Sequence, residues 1–211
     1  MRTSSIVTLA ATILMGATAV SAQAEGSSIF GNPHDWMIRL RAIDVHPDPD
    51  STVTGLVADI TADNAIVPEL DITYFWTDNI ATELILATSN HDMGTNTGVD
   101  LGDTWILPPQ LTLQYHFLPE SEAFRPYIGA GLGYMIYYGE DAGAVTSVKY
   151  EDGISYTLQA GADFPIDNHW AFNVDVKKVY HNVDVKVNGG AITADVDLDP
   201  WVFGVGVGYR F

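Results

Sequence analysis

From Trp201 to Phe211 the chain alternates without a slip. Trp201, Phe203, Val205, Val207, Tyr209 and Phe211 share one face of a strand, and Val202, Gly204, Gly206, Gly208 and Arg210 share the other. Successive side chains of a strand point to opposite faces, so one face is continuously apolar and the other small and polar. Seven earlier runs repeat the pattern. Trp36, Ile38, Leu40 and Ala42 alternate with Arg39 and Arg41, and Leu70, Ile72, Tyr74 and Trp76 with Glu69, Asp71 and Thr73. Ile80, Leu84 and Leu86 oppose Glu83, and Leu111, Leu113, Tyr115 and Phe117 oppose Gln110, Thr112, Gln114 and His116. Ile128, Ala130, Leu132, Tyr134 and Ile136 alternate with Tyr127, Gly129, Gly131 and Gly133, with Arg125 on the same side as the glycines. Ile154, Tyr156, Leu158, Ala160, Ala162 and Phe164 oppose Ser155, Thr157, Gln159, Gly161 and Asp163; Trp170, Phe172, Val174 and Val176 oppose Asn173, Asp175 and Lys177. Eight such runs with charge on one face and aromatics near the ends of the other predict an all-β, eight-stranded antiparallel up-and-down transmembrane β-barrel.

The connections alternate in length. Thr77–Asn79, Leu118–Ala123 and Pro165–His169 are short, whereas about His46–Ala65, His91–Ile106, Gly139–Gly153 and His181–Asp199 are long. Bacterial barrels have short periplasmic turns and long outer loops, which predicts both ends of the barrel domain on the periplasmic side. Within the last long segment, Asn188-Gly189-Gly190 between alternating valines and Ile192, Ala194 and Val196 reads as a hairpin tip, so the flanking strands are expected to project beyond the membrane.

The N-terminus changes the picture of where the chain resides. Arg2 precedes an apolar run from Ile6 to Val20 and then Ala22-Gln23-Ala24, the small-x-small pattern of a signal-peptidase site. Residues 1–24 are therefore expected to be a cleaved leader and 25–211 the barrel, leaving 187 of 211 residues. No later stretch has about twenty uninterrupted apolar residues, so membrane residence rests on strands. There is no cysteine, and the formal charge is −18. The first leaves stability to the closed hydrogen-bond ladder, and the second argues against nucleic acid as a partner.

A soluble sandwich or lipocalin-like cup would show similar alternation, but its charges would face outward. Here Arg39, Arg41, Arg125, Lys177 and Arg210 fall on the inner face together with Glu69, Asp71, Glu83, Asp163 and Asp175. An Arg or Lys on a lipid face costs about 2–4 kcal/mol at mid-bilayer, which accounts for the segregation. Lys178 is the exception by parity, placed to snorkel near a strand end. An eight-stranded barrel is just wide enough for side chains to fill, so these ten charges are expected to plug the axis rather than line an aqueous pore. Met135, Tyr137, Val179 and Val202, with Trp105 and Leu107, are expected to make the outer half apolar. Pro108-Pro109, where the fourth strand begins, removes two backbone donors and so marks either a strand end at the rim or a lateral exit.

Thr77-Asp78-Asn79-Ile80 with Glu83, Leu107-Pro108-Pro109, Arg125 through Tyr134, and Leu198-Asp199-Pro200-Trp201-Val202-Phe203 with Gly208-Tyr209-Arg210-Phe211 resemble the outer membrane protein W (OmpW) family over most of the chain, in order. The resemblance implies an integral outer-membrane barrel with a narrow, partly hydrophobic channel for small apolar molecules, with an exit sideways into lipid. It also implies links to stress adaptation, and for some members a surface-receptor role. The matched positions are turn and scaffold residues, so no ligand site carries over. Outer-membrane lipid, lipopolysaccharide and small apolar solutes are the expected partners, with the barrel-assembly machinery reading the strand that ends in Phe211. An alternative is an envelope-structural or receptor barrel acting through acidic outer loops without transport.

No catalytic, cofactor or metal set is expected. His91-Asp92 and His181, with Ser89 or Ser147, have no motif that couples them. Asp48-Pro49-Asp50 and Asp195-Val196-Asp197-Leu198-Asp199 offer oxygen ligands but lack the glycine and terminal glutamate of a calcium loop. Gly129, Gly131 and Gly133 lie in a strand with no helix after them, so they make room for inward neighbours instead of cradling phosphate.

Overall fold

The structure is a computed structural model that describes residues 35–55 and 58–211; the expected leader lies outside them. The strands are β1 (Trp36–His46), β2 (Asp50–Thr54), β3 (Ile60–Ala62), β4 (Ala65–Phe75), β5 (Ile80–Ala87), β6 (Ser89–Thr95), β7 (Asp100–Leu107) and β8 (Gln110–His116). They continue with β9 (Arg125–Tyr138), β10 (Val148–Tyr150), β11 (Gly153–Pro165), β12 (Trp170–Tyr180), β13 (Asn182–Val187), β14 (Ile192–Asp197) and β15 (Trp201–Arg210). Eight of them close a barrel in the order β1-β4-β5-β8-β9-β11-β12-β15, every neighbouring pair antiparallel. The last strand returns to the first, with Met37 opposite Arg210 and His46 opposite Trp201. Closure removes both sheet edges, so backbone donors along these ladders meet partners on the next strand.

The outward face is apolar and exposed, as at Leu111 (58 %) and Ile154 (61 %), while Arg39 and Glu83 inside are 0 % exposed. At the end with short turns the outward aromatics touch in sequence: Trp36 with Tyr74, Tyr74 with Trp76, Tyr115 with Phe117, Phe124 with Phe164, and Trp170 with Tyr209, all with centroids 4.7–5.4 Å apart. Amphipathic rings at one level form the girdle of a membrane interface. Inward glycines let the walls approach. A Cβ at Gly206 would stand 2.1 Å from the Leu40 carbonyl oxygen and 2.7 Å from Arg41 Cα, and at Gly161 it would meet the Tyr127 hydroxyl at 2.4 Å.

The four long connections, expected as outer loops with a hairpin in the last, all carry strands. They fold into two sheets that extend the wall past the barrel: β3, β6 and β7 continue from the outer end of β9, and β10, β13, β14 and β2 form a separate four-stranded sheet. The β13–β14 hairpin turns at Asn188–Gly190 as expected, with Asn188, Gly189 and Gly190 all at positive φ. Val148, Tyr150, Val183, Val185, Val187, Ala194 and Val196 of one extension join Ile60, Met93 and Leu101 of the other and Met135, Tyr137, Val179 and Val202 of the barrel in one apolar cluster. The inner half of the barrel is ionic and the outer half is a hydrophobic core.

Candidate functional site

The ionic layer starts from register. Arg39 lies opposite Asp71 and Arg41 opposite Glu69 on the β1–β4 ladder, so both guanidinium groups enter the lumen beside carboxylates of the next strand. Arg39 then reaches across the axis: its Nη2 donates to Asp163 Oδ2 at 2.7 Å, and its Nη1 to Glu83 Oε1 at 2.9 Å and Thr73 Oγ1 at 2.7 Å. Arg41 donates to Asp71 at 2.6 Å and to Glu83 at 2.9 Å, and pairs with Glu69 at 3.2 Å and Asp175 at 3.1 Å. Lys177 bridges Glu69 at 2.7 Å and Asp175 at 2.9 Å. Gln114 and Gln159 donate to Glu83, each at 2.8 Å, and the Tyr127 hydroxyl donates to Asp175 at 2.8 Å.

All five expected carboxylates meet here, with three of the five expected cations. Arg125 and Arg210 are on the inner face but at the floor near the short turns. Arg125 donates to the Ser121 carbonyl at 2.8 Å, and the Arg210 guanidinium lies 4.2 Å from the Phe75 ring centre. Lys178 stays on the outer face and donates to the Asp199 carbonyl at 2.5 Å while lying over Trp201. Three cations facing five buried carboxylates form a cross-linked layer that occupies the section of the lumen.

Directly above this layer lies a cavity of about 80 Å³ whose walls include Ile43, Val67, Ile85, Ala87, Met93, Ile106, Pro108, Met135, Tyr137, Val179 and Val202, with Glu69, Gln110 and Lys177 at its base. That is room for a small organic molecule or several waters. Of the residues expected at an apolar mouth or lateral exit, Met135, Tyr137 and Pro108 line it. Trp105 does not. It is exposed on the outer rim, stacked on Tyr138 with centroids 6.2 Å apart, and Ile106 takes the inward place. Leu107 and Pro109 are half-buried in the wall outside the lining, because inward and outward positions alternate through the β7–β9 ladder.

The wall beside the cavity is incompletely bonded. The β5–β8 ladder ends at Ile85 opposite Gln110, and the β6–β7 ladder resumes only at Ser89 opposite Ile106. Residues 86–88 and 107–109 are thus not paired with each other, although Leu86 and Ala87 still pair with β4 and Leu107 with β9, and the Thr88 hydroxyl donates to the Ile106 carbonyl at 3.2 Å. Pro108 and Pro109 supply no donors there, although the Pro109 carbonyl still accepts from Tyr134 N at 3.1 Å.

Two histidines whose role the sequence left open line the same cavity. His91 Nε2 lies 2.9 Å from Ser89 Oγ, and its Nδ1 is 2.8 Å from the Asp63 carbonyl. The carbonyl accepts from the ring's Nδ1–H, so the Ser89 hydroxyl donates to Nε2, and the pair forms a satisfied polar patch on the wall. Burial holds both His91 and His181 below the ordinary imidazole range. Ser147 is structural, its hydroxyl accepting from Gly189 N at the hairpin tip. The acidic runs are engaged as well: Asn182 donates to Asp195 and Asp197, and Asp199 accepts from His181 N.

Residues 32–211 match the OmpW family. An uncharacterized outer-membrane protein of Sinorhizobium fredii is 39 % identical over 184 residues, covering 83 % of this chain and 80 % of that protein. The dibenzothiophene metabolism operon protein PahQ of Pseudomonas aeruginosa is 31 % identical over 166 residues, covering 75 % and 77 %. Among solved structures, the crystal structure of OprG from Pseudomonas aeruginosa superposes with a TM-score of 0.77 at 29 % identity, covering 83 % of this chain and 95 % of that one.

Proposed function

This chain belongs to the OmpW family of outer-membrane β-barrels, and from that premise we propose that it carries small apolar molecules across the outer leaflet and releases them sideways into the bilayer. The observation that carries this reading is the apolar cavity seated on a sealed ionic layer and flanked by a lapse in the wall at Pro108-Pro109. A solute entering from the outer end finds hydrocarbon-like walls, meets Glu69 and Lys177 below, and has beside it the break in pairing between 86–88 and 107–109. Lipopolysaccharide presents a charged, tightly packed surface to apolar solutes, and a lined mouth offers a lower barrier. The name of PahQ connects one relative with the metabolism of an apolar aromatic, which supports the same solute class.

The leader at 1–24 is proposed to deliver the chain to the envelope, where the strand ending in Phe211 addresses it to the barrel-assembly machinery. The test is uptake by liposomes of a panel of small apolar molecules, with and without the refolded barrel. Enhanced flux is expected for several of them. No enhancement for any transfers the function to a receptor or envelope-structural role of the outer sheets.

A further inference from the structure

The cavity is not uniformly apolar. Its charged base is already partnered: Lys177 is held by Glu69 and Asp175, and Gln110 Oε1 accepts the Thr157 hydroxyl at 2.5 Å. The Ser89–His91 patch is closed on itself. Two lining groups differ. His181 Nδ1 lies 3.0 Å from the Ile154 carbonyl and donates to it, which leaves Nε2 as an acceptor, and Nε2 has no partner among the described residues. The Tyr137 hydroxyl likewise has none. Both residues are more than nine-tenths buried, at 3 % and 6 % exposure, and their rings stack with centroids 5.9 Å apart.

Buried polar atoms in native proteins are almost always hydrogen-bonded, so an acceptor and a hydroxyl left open on two stacked rings that line one apolar chamber mark a place for a ligand's polar group. We propose that the cavity selects apolar molecules bearing a single hydroxyl, phenols and monohydric alcohols, over hydrocarbons of the same size. A hydroxyl is the group that satisfies both atoms: it donates to His181 Nε2 and accepts from the Tyr137 O–H. A carboxylate gains nothing there, since Lys177 is already neutralised and Glu69 lies at the base. The burial that keeps the His181 ring neutral keeps its lone pair available. The inference deepens the transport reading and rests on it for its biological sense, but recognition and flux are separately measurable.

The probes are p-cresol and p-xylene, which differ by a hydroxyl in place of a methyl. In the full-length barrel refolded in detergent, the 15N resonance of His181 Nε2 is expected to shift saturably with p-cresol and to stay put with p-xylene. Tyr137→Phe removes one oxygen, and should weaken p-cresol about three- to tenfold without changing p-xylene, the loss of one net hydrogen bond. His181→Phe should abolish the discrimination while keeping the ring stack. Equal response to the two probes, or discrimination that survives Tyr137→Phe and His181→Phe, overturns the proposal. A saturable p-cresol shift without enhanced liposome flux of either probe keeps the recognition and removes the transport.

Discussion

Arg39 and Asp163 are 124 residues apart in the chain and meet as a fork across the lumen, Nη2 to Oδ2 at 2.7 Å and Nε to Oδ1 at 3.2 Å. Two parallel charge-assisted bonds fix the distance between β1 and β11, which are not neighbours in the barrel wall. Breaking one side of a buried pair strands the other charge, at a cost of about 3–5 kcal/mol. Asp163→Ala is therefore expected to lower the unfolding free energy of the barrel refolded in vesicles by that order, read as a lower urea midpoint. Asp163→Asn should lose less, because an amide oxygen still accepts from Arg39. Equal midpoints for Asp163→Ala and the wild type would show that the fork contributes no stability.

A second expectation concerns the seam. Gly206 lies opposite Arg41 where the last strand meets the first, and a Cβ there would collide with the Leu40 carbonyl and Arg41 Cα, both backbone atoms that cannot rotate away. Gly206→Val should cost at least the 1–3 kcal/mol typical of overpacking and slow barrel closure. Gly189 is the contrast. It has open space around it but φ of +69°, so Gly189→Ala carries only local backbone strain of about 1 kcal/mol. Electrophoretic mobility of unheated samples in SDS, which distinguishes closed from open barrels, should separate the two variants.

What was legible in advance divides along the polarity of the strands. The eight barrel strands announce themselves because lipid enforces an unbroken apolar face and the lumen a polar one, so parity alone places Arg39 beside Asp71. The outer sheets carry no such enforcement. β6 reads Ser-Asn-His-Asp-Met-Gly-Thr, with buried positions that are mostly polar, and no period in hydrophobicity reveals it. Its bulge at Met93–Gly94 and the positive φ of Gly102 also break the count that would have turned Trp105 outward in advance. Parity fixes a side, not where a long side chain ends: Arg125 is level with Asp163 on the β9–β11 ladder, yet its guanidinium turns to the Ser121 carbonyl, and Arg210 packs on Phe75. Ser89 and His91 share a face once β6 exists, so their contact follows from an assignment that the sequence alone did not give.

The two cavity histidines set a pH dependence. Burial holds their folded pKa below that of the unfolded ring, near 6.5, so below that value the unfolded state binds more protons than the folded one. Stability of the outer half is therefore full above the unfolded pKa and declines as pH falls below it, until the folded rings protonate. Amide hydrogen exchange of β6 and β13, corrected for intrinsic rates, should show protection falling between pH 7 and pH 5 while β1 and β15 hold. His91→Gln together with His181→Gln should flatten that difference.

The lateral exit makes its own demand. If solute leaves between residues 86–88 and 107–109, restoring donors at the proline pair should close the lapse by extending the β5–β8 ladder. Pro108→Thr with Pro109→Val, residues that suit a strand, should lower liposome flux of apolar solutes several-fold at unchanged thermal stability. Hydrogen exchange would report new protection at the amide of residue 108, the one that faces 86–88, since residue 109 presents its backbone to Tyr134 on β9. New protection with unaltered flux would place the exit elsewhere.

The ionic layer predicts electrical silence. Arg39 and Arg41 are 0 % and 1 % exposed, and the lumen at their level is filled by side chains that hold one another. An ion crossing there would have to shed water without replacing it, since the carboxylates are already bonded to guanidinium and ammonium groups. Planar-bilayer recordings of the wild-type barrel should show no large, weakly selective steps. Arg41 is the hub, contacting Glu69, Asp71, Glu83 and Asp175. Arg41→Ser leaves those four carboxylates short of a partner and opens space beside them, so steps that appear in that variant should be cation-selective. Large steps in the wild type, or anion-selective steps in Arg41→Ser, would mean that the lumen is not closed by this network.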